Sequence, residues 1–408
     1  MGDDAFLTGR RVLDLADEQA VLCGRILADM GADVIAVEPP GGDSNRRIGP
    51  FWHDQPHPER SLWWFAYAAG KRSVTLDLES RDGRAIFTRL VQSSDFVIES
   101  FPPGYMDGLG LGYADLERIN SRVVLVSVSP FGQRGPHASY QGSDLVGLAM
   151  GGLMYTQGDA DRSPLAFTAP QAGLHGGAEA VAGAMFAHVH RERTGHGQHV
   201  DVSVQEAVTW TLMNTTVYWD LNQVNIGRDG AVKIRPSGTT ARLHWPCKDG
   251  FVTFGGTAEW GGMSRWMRDE GIDDKILDRD WESMDRFAFS QEDVDALEEL
   301  ARGFLAARTA QELYDGAVKW RFMLYPIFTT ADLSRYRQLQ ERDFFVEIEH
   351  DELGERLTYP GPFLRTSEAS PRIRGRAPLI GEHNRQVYQG DLGLTLDEMR
   401  VLKANGVI

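Results

Sequence analysis

The sequence predicts an α/β protein in which helices cover a parallel β-sheet. Over the first 130 residues, short apolar runs rich in β-branched residues alternate with segments of helical spacing. This alternation is typical of βαβ units, which join neighbouring parallel strands. One run, VVLVSVS at 123–129, is almost continuously apolar, as expected of a strand that is buried on both faces.

The elements of this pattern follow one another at short intervals. Strands are predicted at 11–15, 32–40, 73–78, 95–100, 123–129 and 198–204. Helical spacing of apolar residues, as at Ile86 and Leu90, predicts the helices. These lie at 19–30, 81–93, 113–120, 144–153 and 172–193, and a long apolar helix follows to about Leu221.

A shift in composition marks a second, smaller domain, which we predict at 226–320. It contains an irregular segment, a strand at 251–256 that ends in glycines, and three helical segments near 259–270, 291–307 and 309–320. The tail that follows is predicted to hold a strand at 344–350 and a closing helix at 396–404.

Composition excludes several classes of function. The net charge of −16 argues against general binding to nucleic acid or to an anionic membrane. Cys23 and Cys247 are too few for a disulfide framework or a cysteine-based zinc site. The sequence lacks an apolar run of about 18 residues and a secretory signal pattern. We therefore expect a soluble, cytoplasmic protein.

General catalytic motifs are absent from the sequence, which has no GxGxxG after the first strand, no P-loop, no GxSxG and no HExxH. His188 and His190 are two apart on a predicted helix and face different directions, so no metal site is predicted. Lys71 and Arg72 form a basic turn that is able to hold a phosphate, although a solvated turn is favoured. Gly255 and Gly256 fit either a mobile lid or ordinary turns.

Several stretches spread along the chain resemble the class III CoA-transferase family, which includes formyl-CoA transferase, carnitine CoA-transferase and α-methylacyl-CoA racemase. Their number and order, from one end of the chain to the other, carry the resemblance. The stretches are RVLDL (11–15), LADMGADVIAVEPPGGD (27–43), GKRSVTLDL (70–78), DFVIESFPPGYMDGLGLGY (95–113), SPFGQRGP (129–136), SDLVGLAMGGLM (143–154), RERTGHGQHVDVSVQEAV (191–208), FFVEIEHDELGE (344–355), RAPLIGEHN (376–384) and LGLTLDEMRVLKANGVI (392–408).

The resemblance implies both an architecture and a reaction. Family members have a Rossmann-like large domain built from both chain ends, here 1–225 and 321–408, and a smaller middle domain, here 226–320. Two chains interlock as a dimer. In the transferases, an Asp attacks an acyl-CoA to form a mixed anhydride, and CoA passes to a small carboxylic acid. CoA and acyl-CoA are therefore the implied substrates, and no metal is implied.

The family's binding positions fall on identifiable residues of this chain. The glycine loop, whose N–H groups hold the developing oxyanion, falls at Gly255 and Gly256. Lys71 and Arg72 remain as candidates for CoA binding, together with Ser100 and Phe101, which follow the strand at 95–100.

This chain departs from the family pattern at the nucleophile. A count of 18 residues back from Arg191 reaches Gly173, and a slip of two residues reaches Gln171, so we assign the expected Asp position to Gln171. A neutral amide is a poor nucleophile. Glu179 lies further along the helix and is a second candidate, the alternative being an ordinary carboxylate on a helix face.

Other family positions have changed as well. The racemase histidine falls at Ser143, so a racemase is not expected, and Asp144 is predicted to cap the helix that starts there. Family residues at the CoA site are replaced by Ala20-Val21, Pro39, Ser100 and Gly108. These replacements predict an altered or weakened CoA site.

Three functions are consistent with these departures. The first is a CoA-transferase with atypical catalytic geometry, acting on acyl-CoA and a carboxylic acid. The second is a silent subunit that pairs with an Asp-bearing paralogue in a heteromer, in place of a homodimer. The third is an acyl-CoA-binding protein.

Overall fold

The computed structural model describes residues 5–234, 239–254, 259–284 and 290–408. The chain forms two compact units. The first unit comprises Met1–Met154, Ala166–Gln223 and Glu341–Ile408. The second unit comprises Tyr155–Leu165 and Val224–Gln340.

A six-stranded parallel sheet forms the centre of the first unit, which confirms the predicted α/β class. Its strands are β1 (Arg11–Leu15), β2 (Asp33–Glu38), β3 (Arg72–Thr75), β4 (Phe96–Glu99), β5 (Val124–Ser129) and β6 (His199–Ser203). They lie in the order β3-β2-β1-β4-β5-β6. The order reverses between β1 and β4, and in open α/β sheets ligands bind at such a switch point, outside the carboxyl ends of the strands.

The helices of the first unit occupy the predicted segments closely. They are α1 (Val21–Asp29), α2 (Leu62–Ala68), α3 (Arg81–Val91), α4 (Tyr105–Gly108), α5 (Tyr113–Ile119), α6 (Asp144–Met150), α7 (Ala172–Thr194), α8 (Val204–Trp210) and α9 (Met213–Asn222). Short 3₁₀ turns lie at Ser44–Arg47, Trp52–Asp54 and Leu153–Thr156. Successive side chains of a strand point to opposite faces of the sheet and pack in two apolar clusters. Leu13 and Leu125 belong to one cluster, and Val12 and Val126 belong to the other.

Two features differ from the sequence prediction. The long apolar helix expected to reach Leu221 is two helices, α8 and α9, which are separated at Thr211 and Leu212. The aromatic segment at 61–69, where no element is predicted, contains α2. Ser61 caps α2 by accepting a hydrogen bond from the Trp64 N–H (3.1 Å), and the side chain of Trp64 is buried.

The C-terminal segment belongs to the first unit. It contains the antiparallel strands β12 (Phe345–His350) and β13 (Glu355–Pro360), a π-helix (Arg385–Asp391) and the last helix (Leu396–Ala404). Arg46 is fully buried and ties this segment to the amino-terminal part. Its guanidinium donates to Glu38 (2.5 and 2.8 Å), to Glu59 (2.8 Å) and to the Pro378 carbonyl (3.0 Å). A buried cation that is paired in this way keeps distant segments in register.

The second unit has its own core, built around Trp245, Trp260 and Trp281. Its strands are β7 (Val232–Ile234), β8 (Thr240–Arg242), β9 (His244–Cys247), β10 (Gly250–Thr253) and β11 (Tyr325–Pro326). Its helices are α10 (Glu259–Asp269), α11 (Gln291–Ala306), α12 (Ala310–Trp320) and α13 (Thr330–Arg335), with a 3₁₀ turn at Lys275–Asp278. Helix α14 (Arg337–Glu341) spans the chain position at which the second unit ends and the first resumes. The last helix of the chain, Leu396–Ala404 in the first unit, is α15.

No helix within the described ranges is long and apolar enough to cross a membrane. The same ranges contain no group of three or more His, Cys, Asp or Glu side chains arranged to hold a metal ion. The predicted glycine-loop residues, Gly255 and Gly256, lie outside the described residues.

Candidate functional site

The switch point between β1 and β4 forms the candidate site, and acidic side chains line it. Asp17 follows β1 by two residues, and Ser100 follows β4 directly. The Ser100 hydroxyl donates to the Asp17 carboxylate (2.7 Å) and accepts from the Asp17 N–H (2.8 Å). Next to Asp17, burial raises the pKa of Glu18, and the negative charge of Asp17 raises it further. The crevice therefore presents carboxylates where an anionic ligand would approach.

Glu99 lies beneath this crevice at the end of β4. Its side chain is buried, and it accepts a hydrogen bond from the Phe101 N–H (2.7 Å). Burial raises the pKa of Glu99 to about 7, against the lowering effect of hydrogen bonds from Ser127 and the Phe101 N–H. Phe101, one of the predicted CoA-binding residues, is thus held through its backbone by this buried carboxyl group.

The glycines of α7 allow its first turns to lie directly on the loop between β1 and α1 and on the first turn of α1. A Cβ atom on Gly173 would be 2.6 Å from the Glu18 carbonyl oxygen and 3.1 Å from the Gln19 Cα. One on Gly177 would be 2.9 Å from the Leu22 Cβ and 3.2 Å from the Cys23 nitrogen. Because the opposing atoms at Gly173 are backbone, they have little freedom to move, and the position has no space for a carboxylate side chain.

The start of α7 is occupied by a carboxylate from another helix. One oxygen of Asp144 accepts from the N–H groups of Gln171 (2.8 Å), Ala172 (2.6 Å) and Gly173 (3.3 Å). The Gln171 side chain turns back and donates to the Pro170 carbonyl (2.9 Å). Asp144 therefore satisfies the free N–H groups and the positive end of α7.

The predicted role of Asp144 as the cap of its own helix is wrong. Ser143 is the residue that caps α6, because its hydroxyl accepts from the Val146 N–H (3.4 Å). Asp144 is the first residue of α6, and its side chain instead reaches α7. From the sequence alone, Asp144 is assigned as the cap of the helix that begins beside it. The packing of α6 against α7 instead gives Asp144 a partner 27 residues away.

The two cations of the predicted phosphate turn are both paired with carboxylates. The Lys71 ammonium lies 2.7 Å from Asp14, and both side chains are almost fully buried. The Arg72 guanidinium bonds to Asp33 (2.5 and 2.8 Å) and lies 3.3 Å from Asp391. Arg72 is also the first residue of β3, which places it at the amino end of the sheet, opposite the carboxyl-end crevice.

Glu179, the second candidate nucleophile, is separated from the first turn of α7. It lines a surface groove with Val200 and Trp210, beside β6. The structure therefore brings Ser100, Phe101 and the Gln171 position to the switch-point region and leaves Glu179 outside it. Asp17, Glu18 and Glu99 were missed by the sequence analysis, although Asp17 and Glu18 closely follow the predicted strand at 11–15 and Glu99 lies near the end of the predicted strand at 95–100.

The first unit is an open α/β fold with a topological switch point between β1 and β4. A model of CoA-transferase family III matches residues 7–384, so the chain belongs to this family. The resemblance found in the sequence is thereby confirmed.

Relatives and solved structures match over nearly the whole chain. Over 384 residues, the chain is 36% identical to the succinyl-CoA:(R)-benzylsuccinate CoA-transferase subunit BbsE of Thauera aromatica, with 92% of each chain covered. It is 31% identical over 404 residues to the succinyl-CoA–D-citramalate CoA-transferase of Chloroflexus aurantiacus, covering 98% of this chain and 97% of the relative. A CAIB/BAIF family protein from Brucella suis superimposes with a TM-score of 0.82 at 29% identity, covering 94% of this chain and 99% of that structure.

Replacement of Asp144 should weaken the start of α7. We expect Asp144→Ala to lower the free energy of unfolding by about 1–2 kcal/mol, because three N–H groups lose their acceptor. Asp144→Asn should cost less, since its amide oxygen still accepts. Chemical denaturation measures both. Asp82→Ala, in the first turn of α3, is the matched control and should change stability less. Equal losses at both positions would contradict the capping role.

Because its pKa is raised, Glu99 should make the free energy of unfolding depend on pH. Between the ordinary pKa of 4.5 and about 7, the folded protein retains a proton that the unfolded chain has lost. The stability supplied by this group is therefore complete below pH 4.5 and is lost as the pH rises through 7. As the pH rises through this range, the free energy of unfolding of Glu99→Gln should increase by about 1 kcal/mol or more relative to that of wild type.

Denaturation at several pH values measures this gain. The exposed Glu368→Gln variant is the control and should parallel wild type. Parallel pH profiles for Glu99→Gln and wild type would contradict a protonated Glu99.

Proposed function

We propose that this chain is the silent subunit of a heteromeric class III CoA-transferase. Its partner, an Asp-bearing paralogue, carries the nucleophile, and the assembly moves CoA between an acyl-CoA and a carboxylic acid. The observation that carries the proposal is the first turn of α7, where Gln171 and Gly173 stand at the expected nucleophile position and Asp144 caps the helix.

The chemistry at this turn favours a silent subunit over a transferase with an atypical nucleophile. In the proposed assembly, a carboxylate oxygen of the partner attacks the thioester carbonyl, the C–S bond breaks, and CoA leaves as the thiolate. Gln171 has no carboxylate to perform this attack. Asp144 has its charge held by three N–H groups, which lowers the nucleophilicity of its oxygen.

The electrostatics of the crevice support the same conclusion. CoA carries several phosphate charges, which require free cations or N–H donors. Lys71 and Arg72 already have carboxylate partners, and the Asp17 carboxylate lies at the switch point beside Ser100. Contacts with CoA therefore remain part of the proposal for Lys71, Arg72, Ser100 and Phe101, and a measurement of acyl-CoA binding tests them.

The assembly that we propose follows the family architecture. The large domain would combine 1–225 with 321–408, the small domain would be 226–320, and two chains would interlock. The relative from Thauera aromatica is named as a subunit, which supports a heteromer over a homodimer for this chain. Gly255 and Gly256, the proposed glycine-loop residues, would belong to the small domain.

The isolated chain should fail to transfer CoA. We expect no transfer from succinyl-CoA to a panel of carboxylic acids above the rate without protein, because Gln171 and Gly173 carry no carboxylate and Asp144 is held by three N–H groups. Chromatography of the CoA esters measures the transfer, and a single-chain family member serves as the positive control. Robust turnover by the pure chain would end the silent-subunit proposal.

Calorimetry on the same preparation distinguishes the remaining alternative. Tight binding of acyl-CoA by the isolated chain, without turnover and without a partner, would favour an acyl-CoA-binding protein. Weak or absent binding is the result that a silent subunit predicts.

A further inference from the structure

A groove beside β6 lies on the first unit, away from the switch point. We call it the β6-edge groove; it has a volume of about 300 Å³. It is formed by α7, α8 and β6, and β6 is the last strand of the sheet. Its lining includes Glu179, Phe186, Val200, Asp201, Glu206 and Trp210.

Two large aromatic side chains in this groove are exposed. Phe186 is 74% exposed and Trp210 is 62% exposed. Both are far more accessible than the tryptophans of the second unit's core, such as Trp245, which is 1% exposed. Aromatic residues of this kind are enriched at protein–protein interfaces, where burial of one ring contributes much of the binding energy. The groove therefore has the character of an interface.

The charges in the groove are all negative. Glu179 and Glu206 are exposed and make no ion pair within the part of the chain that the structure describes. Asp201 accepts hydrogen bonds from the Gln133 N–H (3.0 and 3.1 Å). No lysine or arginine is among the lining residues, all of which the structure describes. A partner that covers the groove has to supply the positive charge.

We propose that the β6-edge groove docks a lysine- or arginine-bearing face of the Asp-bearing paralogue. The inference rests on the proposed function and identifies the surface that selects the partner. Arginine and lysine fit the groove because their apolar stems can lie on Phe186 and Trp210 while their charged heads reach Glu179 and Glu206. Opposite charges across an interface direct the choice of partner and its orientation.

Charge also disfavours a second copy of this chain as the occupant. Each copy carries a net charge of −16, so two copies repel each other at long range, most strongly at low salt. A partner with a basic face removes this repulsion at the groove itself. In the proposed heteromer, this repulsion would act as a penalty against the homodimer.

Competition during assembly tests the proposal. Wild-type chain and a Glu179→Lys/Glu206→Lys variant are expressed together with the tagged Asp-bearing family III chain of the same genome. Mass spectrometry then measures their ratio in the purified complex. We expect the variant to be depleted at least tenfold. A Glu347→Lys/Glu368→Lys variant, with the same change of net charge at exposed sites, should be incorporated like wild type.

Every outcome decides the question. Equal incorporation of the groove variant and wild type would overturn the proposal, and thermal unfolding establishes that the variant is folded. Should it not fold, Glu179→Gln/Glu206→Gln replaces it, with a smaller depletion expected. A wild-type homodimer that the groove variant disrupts would also overturn it, because the occupant would then be a second copy. Turnover by the isolated chain would instead defeat the proposed function, whatever the competition shows.

Discussion

The close approach of α7 to the loop between β1 and α1 is the constraint on which the candidate site depends. Gly173 lacks the side chain that would separate α7 from this loop, and Gly177 allows the same close approach to the first turn of α1. The first turn of α7 thereby reaches the carboxyl end of β1, where Asp144 neutralises its N–H groups. The same approach that brings the helix to the crevice removes the space for a nucleophile at Gly173.

A second consequence is the balance of charge around the crevice. In a site for a phosphate-bearing substrate, cations are free and carboxylates are few. Here Lys71 is buried against Asp14, Arg72 is paired with Asp33 at the amino end of the sheet, and the Asp17 carboxylate lies at the switch point beside Ser100. Neither Lys71 nor Arg72 is therefore free to bind a phosphate, which is consistent with the proposed silent subunit.

Much of the fold was predictable from the sequence, since apolar period and length locate strands such as β5 and helices such as α3. The site was less predictable. The bond between Asp144 and α7 and the pairing of Asp17 with Ser100 join residues far apart in sequence. Local patterns carry no information about such partners. Likewise, the basic turn at Lys71 and Arg72 gave no sign that Asp14, Asp33 and Asp391 would neutralise it.

The most direct test of the central claim asks which chain carries the acyl group. The heteromer is incubated with succinyl-CoA and trapped with hydroxylamine, and intact-mass measurement follows for each subunit. If this chain is the silent subunit, the hydroxamate forms on the Asp-bearing partner and not on this chain. A hydroxamate on this chain, at Asp144, Glu179 or any other carboxylate, would show that it is not silent.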